Sequence, residues 1–214
     1  MKDNENNEVL KIILIGEASV GKTSIIYQFI DKIFQEDLQS TIGGTFNSKS
    51  IKCNNNKTLN LEIWDTAGQE RYRGVTKMFY KDADVVILVY DITSKSSFEE
   101  LKNYWVGQVF EGSEKNIMLV IVANKSDLID KEQVDEEEAR NYAKEVKADF
   151  FVISAKENNS VNELFKSIAK KYSGADNVEI IEENDDEMAS FRKIRKESVR
   201  VKKAFTKKKK VGCC

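Results

Sequence analysis

The chain has 214 residues, 41% of them hydrophobic and 33% charged, with 34 Lys+Arg against 36 Asp+Glu, no His and no Pro. That length holds one compact domain and a tail, or at most two small domains, and the charged fraction belongs to the soluble class. Without histidine there is no Ser-His-Asp triad, Cys-His pair, His zinc site or His-ligated haem; three cysteines, Cys53, Cys213 and Cys214, fall short of a four-cysteine metal site and argue for a reducing compartment.

In chain order, residues 1–8 are polar, lack the apolar run of a signal peptide and are expected to be a flexible N-terminus, so the chain is expected to stay in the cytosol. Residues 9–15 form a short apolar run ended by Gly16, the pattern of a buried strand. Residues 22–33 carry apolar side chains at 25, 26, 29, 30 and 33, the helical period. Residues 46–52 alternate weakly, 54–56 are three asparagines that read as a turn, and 59–64 alternate cleanly, so the three together read as a β-hairpin. A short helix is assumed between Trp64 and Val85, followed by a buried strand at 85–90.

Residues 96–111 read as a helix capped by Ser96 and Ser97 with Glu99 and Glu100 in its first turn. A strand at 117–123, an exposed charged helix at 135–146, a strand at 150–153 and a helix at 161–172 complete the pattern. The two most apolar runs, 85–90 and 117–123, are far shorter than the ~20 residues a membrane-spanning helix needs. This order predicts an α/β domain: a six-stranded, mostly parallel sheet, one antiparallel hairpin strand at an edge, and helices on both faces. It is expected to occupy residues 9–172, and such sheets bind ligands outside the carboxyl ends of their strands.

The remaining residues, 173–214, read as a tail. An acidic segment at 182–187 precedes a stretch, 192–210, holding eleven basic residues and one acidic residue. Single-sign blocks of this kind rarely pack into cores. Apolar residues at 188, 191, 194, 201 and 205 leave room for a basic amphipathic helix, with disorder the default. Cys53 reads as an inert strand-end residue.

Four loops carry chemistry. The first, Gly16-Glu17-Ala18-Ser19-Val20-Gly21-Lys22-Thr23, matches G-x-x-x-x-G-K-[ST] between a predicted strand and helix. Glycines let successive N–H groups face phosphate oxygens, the helix start adds its dipole, Lys22 supplies a cation and the Thr23 hydroxyl a Mg²⁺ ligand. Ser24 is counted with this phosphate-binding set.

The second, Asp65-Thr66-Ala67-Gly68-Gln69-Glu70, follows a strand. Asp65 can hold Mg²⁺, Gly68 lets the backbone approach a γ-phosphate, and Gln69 can orient water; taken alone, Asp65 also reads as a helix cap. The third, Asn124-Lys125-Ser126-Asp127, offers a carboxylate to the paired ring N–H and amine of guanine, a pair that adenine lacks; taken alone it also reads as an Asx turn. The fourth, Ser154-Ala155-Lys156, offers the Ala155 N–H to the guanine carbonyl.

The four loops, in this order and spacing, resemble the Ras-like small GTPases over residues 8–172, and within them the Rab branch most. The carriers are Thr41-Ile42-Gly43-Gly44-Thr45-Phe46, the run from Leu61 to Arg73, Leu88-Val89-Tyr90-Asp91-Ile92-Thr93, and the terminal Cys213-Cys214. The resemblance implies a P-loop NTPase fold, GTP or GDP as bound nucleotide, Mg²⁺ as cofactor, and GTP hydrolysis by positioning and electrostatics, with Gln69 as the catalytic residue. It implies that Thr41 binds Mg²⁺ and senses the γ-phosphate, that Phe34 packs on the guanine edge, and that the Lys125 stem lies along the base. It further implies that Phe46, Trp64 and Phe79 face effectors.

The implied partners are an exchange factor, a GTPase-activating protein, a GDP dissociation inhibitor, effectors, and the escort protein and geranylgeranyl transferase that would lipidate Cys213 and Cys214. Two prenyl chains and the basic run together would hold an anionic membrane surface. That places the chain on the cytoplasmic face of an intracellular membrane, cycling with the cytosol. The phrases around Thr41 and Asp91 lean towards the endosomal Rabs; no nucleic-acid partner is expected.

Ala18 stands where Ras has Gly, Leu38 where Ras has a Tyr that closes over the phosphates, and Phe79 replaces the commoner Tyr. A slow but working enzyme is therefore expected, acting as a switch in vesicle trafficking. The rival is a scaffold locked on GTP with little or no turnover.

Overall fold

Strand β1 (Asn6–Ile15) carries Leu10, Ile12, Ile13, Leu14 and Ile15, all fully buried, so both faces of its second half are covered and it must lie inside a sheet. The computed structural model describes residues 6–36, 38, 41, 44–55, 57–66, 82–112 and 116–181. In chain order β1 is followed by α1 (Lys22–Asp31), the hairpin β2 (Gly44–Cys53) and β3 (Lys57–Thr66), and β4 (Val85–Asp91). Next come α2 (Lys95–Glu100), a π-helical turn (Leu101–Trp105) and α3 (Val106–Gly112). Then follow β5 (Met118–Asn124), a 3₁₀ segment (Ser126–Lys131), α4 (Glu136–Glu145), β6 (Asp149–Val152), α5 (Asn158–Ser173) and β7 (Val178–Ile180).

The sheet runs β6-β5-β4-β1-β3-β2-β7. Strands β1, β3, β4, β5 and β6 are mutually parallel, and β2 is antiparallel to β3. The parallel sheet with its antiparallel hairpin strand agrees with the sequence reading. The strand count does not: seven are present among the described residues, and β2 is not the edge. The extra strand, β7, pairs with Ile51, Lys52 and Cys53 of β2. It comes from residues assigned above to the tail. It is three residues long and preceded by Asp176 and Asn177, too short for a local period to announce it. Burial of Val178 against the sheet brings it in.

Alternate residues of β1 face opposite layers. Leu10, Ile12 and Leu14 pack with Ile25, Ile26 and Phe29 of α1 and Val161, Leu164 and Phe165 of α5. Phe29 stacks on Phe165 with ring centroids 3.9 Å apart. Ile13 and Ile15 pack with Phe98, Leu101 and Trp105 on the other face, together with Ala139 and Ala143 of α4. Helices therefore cover both faces, and the carboxyl ends of β1, β3, β4, β5 and β6 lie along one edge of the sheet. Among the described residues no helix is long and apolar enough to cross a membrane.

Two helix starts are informative. The helix expected over 96–111 begins one residue earlier, and its cap is Ser94, whose side chain accepts the Ser97 N–H; Ser96 and Ser97 are not the cap. The turn after β4 selects it. The Asp91 carboxylate takes both the N–H and hydroxyl of Thr93, so the chain reverses there and the first free hydroxyl is that of Ser94. At α4, the Asp135 carboxylate accepts the Glu138 N–H at 2.9 Å, with Glu136, Glu137 and Glu138 filling the first turn. Asp135→Ala should destabilise the folded protein by about 1 kcal/mol in urea unfolding, the typical effect of one N-cap. A midpoint unchanged from the parent would show that this cap contributes nothing.

The short helix expected between Trp64 and Val85 and the basic run at 192–210 lie outside the described residues.

Candidate functional site

The register of the parallel strands sets a row of polar residues across one edge. Leu14 pairs with Asp65 and Asp91 with Asn124, so the loops begin at matched heights. Between β1 and α1 the chain takes backbone angles suited to glycine, with φ 141° at Gly16 and 100° at Gly21. A Cβ on Gly21 would sit 2.2 Å from the Asn124 amide nitrogen.

Inside this loop Lys22 is buried, and its ammonium donates to the Gly16 and Glu17 carbonyls at 2.8 and 2.7 Å. Burial pulls its pKa down to about 8, while the Asp65 and Glu17 charges pull the other way. A buried cation held by carbonyls is a site for an anion.

Three oxygen groups from distant parts of the chain meet beside it. The Thr23 hydroxyl donates to the Asp65 carboxylate at 2.7 Å and lies 2.8 Å from the Thr41 hydroxyl, which reaches the same carboxylate oxygen at 3.1 Å. The other oxygen of Asp65 is buried with no hydrogen-bond partner. Burial pushes the Asp65 carboxyl above the usual carboxylate range, against the Thr23 hydrogen bond, the Lys22 charge and the Thr41 hydrogen bond. An all-oxygen set with one unsatisfied buried carboxylate oxygen suits a hard divalent cation such as Mg²⁺.

The third and fourth loops are joined by Asn124, which is buried. Its amide donates to the Val20 carbonyl at 2.8 Å and accepts the Ala155 N–H at 3.1 Å, tying the first loop to the last. Asp127 takes the Ser154 hydroxyl at 2.7 Å on one oxygen and the Lys156 ammonium at 3.1 Å on the other. Burial alone would raise the Asp127 carboxyl, but the Ser154 and Lys156 hydrogen bonds and the Lys156 charge outweigh it, and the group sits below the usual range. Asp127 is therefore an ionised acceptor at neutral pH. The Lys156 ammonium also lies 5.5 Å from the Phe34 ring centroid, which brings Phe34 to the same place.

Asp91 is a member of this site that sequence reasoning missed. Its carboxylate pairs with the Lys125 ammonium at 2.6 Å while Thr93 holds its other oxygen. Its position at the end of β4, where ligands gather, was the available signal.

Phe46 and Trp64 face each other across the hairpin, rings edge to face at 5.2 Å, with Phe46 half exposed. Ala18 and Ser19 are exposed, and Ser24 and Leu38 are half-buried. Gly68, Gln69, Phe79, Cys213 and Cys214 lie outside the described residues.

The chain is similar to known proteins over most of its length. The model of the Ras family matches residues 11–173. Ras-related protein RabC of Dictyostelium discoideum is 40% identical over 162 residues, which cover 75% of this chain and 82% of that protein. Ras-related protein Rab-5A of the same organism is 43% identical over 170 residues, 78% of this chain and 84% of its own length.

Proposed function

We propose, for a chain that belongs to the Ras family as a Rab-type small GTPase, that it is a guanine-nucleotide switch which recruits effectors to an endosomal membrane. The observation that carries this reading is the meeting of Thr23, Thr41 and Asp65 beside the buried Lys22. Thr23, Thr41 and Asp65 would hold Mg²⁺, which when bound neutralises phosphate charge. Lys22 and the N–H groups of residues 17–24 bind the phosphates. Thr41 lies 18 residues from Thr23 in sequence, so this junction ties two distant parts of the chain through the groups that would hold Mg²⁺. That is the requirement for a loop that is released when the γ-phosphate leaves.

Asp127 accepts from guanine, and Lys125 and Phe34 flank the base. Gln69 orients the attacking water, and Gly68 contacts the γ-phosphate. Phe46 and Trp64, with Phe79, present an aromatic surface to effectors. An exchange factor, an activating protein, a GDP dissociation inhibitor and the prenylation machinery acting on Cys213 and Cys214 complete the cycle, and residues 173–214 serve as the membrane tether.

The full-length protein, purified with Mg²⁺ and denatured, should release one equivalent of GDP on chromatography. One equivalent of GTP would favour the locked scaffold; adenine nucleotides, or none, would remove the guanine assignment. In the same assay Asp127→Asn should retain at least tenfold less guanine nucleotide, because the amide cannot accept both guanine donors. Retention equal to the parent would take Asp127 out of the base site.

A further inference from the structure

Asp91 ends β4 and faces Asn124, the last residue of β5, in the parallel register. A carboxylate on the neighbouring strand therefore stands level with the start of the third loop. Its two oxygens are divided. One accepts both the N–H and the hydroxyl of Thr93, at 2.8 and 2.7 Å. The other meets the Lys125 ammonium at 2.6 Å. The Asp91 side chain is 10% exposed and that of Lys125 31%, so water screens this pair less than an ion pair on the open surface.

Lys125 is a residue that such a contact can hold to effect. Its backbone sits at φ 70°, ψ 36°, the left-handed region that a residue with a side chain rarely adopts. That conformation turns the chain out of β5 and into the 3₁₀ segment, where the Leu128 N–H donates to the Lys125 carbonyl at 2.8 Å. Asp127 lies in the first turn of that segment. The ion pair thus acts on a residue whose backbone and side chain both shape the third loop. Thr93, by taking one Asp91 oxygen twice, orients the carboxylate with its second oxygen towards Lys125.

We propose that Asp91 is a positioning residue for nucleotide binding: its carboxylate, oriented by Thr93, holds the Lys125 ammonium, so that the Lys125 stem and the left-handed turn before Asp127 are preset for the guanine base. This rests on reading residues 124–127 as the base site.

The test measures the rate of GDP release from the Mg²⁺-loaded full-length protein and its variants. Asp91→Asn keeps an oxygen for Thr93 but presents an amide to Lys125. It should speed GDP release about tenfold, the size of one lost hydrogen bond between charged groups. Lys125→Met removes the ammonium and should speed release at least as much. The double variant separates two roles. If Asp91 acts through Lys125, the double variant should release GDP no faster than Lys125→Met. A role confined to the turn after β4 would instead multiply the two effects.

Multiplied effects would therefore overturn the proposal, and so would release at the parental rate from either single variant. If Asp91→Asn does not fold, Thr93→Val decides. It removes the hydroxyl that orients the carboxylate and keeps the N–H, so it should speed release severalfold when Lys125 is present and not in the Lys125→Met background. Equal effects in both backgrounds, or none in either, would overturn the proposal. A parent that binds no GDP is a different result; it removes the base-site reading as well.

Discussion

Replacing Gly16 by alanine should be among the most damaging single changes in this chain. Its Cβ would stand 2.2 Å from the Val89 carbonyl oxygen, in the backbone of the fully buried strand β4. No side chain can swing aside to relieve that contact. The native φ of 141° is also one that alanine rarely adopts. Overpacking a core costs about 1–3 kcal/mol and a strained backbone about as much again. Together these should lower the midpoint of thermal unfolding of the GDP-loaded protein by about 10–15 °C, at the few degrees per kcal/mol usual for this size. GDP should also dissociate faster, since the loop starts at this residue. A midpoint within two or three degrees of the parent, on the order of 1 kcal/mol, would mean that β1 and β4 separate far more easily than their pairing and shared core suggest.

Lys22→Met should separate stability from binding. On the proposed reading, removing the ammonium takes away the main cation for the phosphates, so GDP affinity should fall at least about 100-fold, the effect of two charge-assisted hydrogen bonds. The nucleotide-free protein should be no less stable than the parent, because a buried, desolvated charge is exchanged for an apolar side chain of similar length.

The parent carries a matching pH signature. Below pH 8 the lysine is charged in both the folded and unfolded states, and the cost of burying it is fully present. Between pH 8 and 10.5 the folded, nucleotide-free state gives up the proton first, so this group's contribution to stability rises through that window. GDP needs the charged form, so its affinity should decline across the same window, by up to tenfold per pH unit for one proton. Titration calorimetry at several pH values would show the decline in the parent and its absence in Lys22→Met. A decline of equal slope in both proteins would assign it to another group.

Most elements of this protein were legible as local patterns. A strand buried on both faces, such as β4, needs an unbroken apolar run, and that run is visible without a fold. The first loop was legible for a similar reason. Phosphate binding by backbone N–H groups demands glycines at set places, and the spacing between Gly16 and Lys22 is itself the structure of the loop.

Other features had no local signature. Strand β7 is three residues long and exists because β2 offers it an edge. The cap of α2 depended on where Asp91 and Thr93 reversed the chain, not on which serine stood nearest the helical period. Asn124 opens the third loop, and which groups its side chain would join, the Val20 carbonyl and the Ala155 N–H, had no local sign. The grip of Asp91 on Lys125, and of Trp105 on Glu17, joins residues 34 and 88 positions apart in sequence.

The sequence alone therefore determined the class of fold and the kinds of group at the site, because hydrophobic period and glycine spacing act over a few residues. Only the tertiary structure decided which of those groups touch. A hydrogen bond depends on distances of a few tenths of an ångström, and here those distances are set by the packing of two helical layers on one sheet.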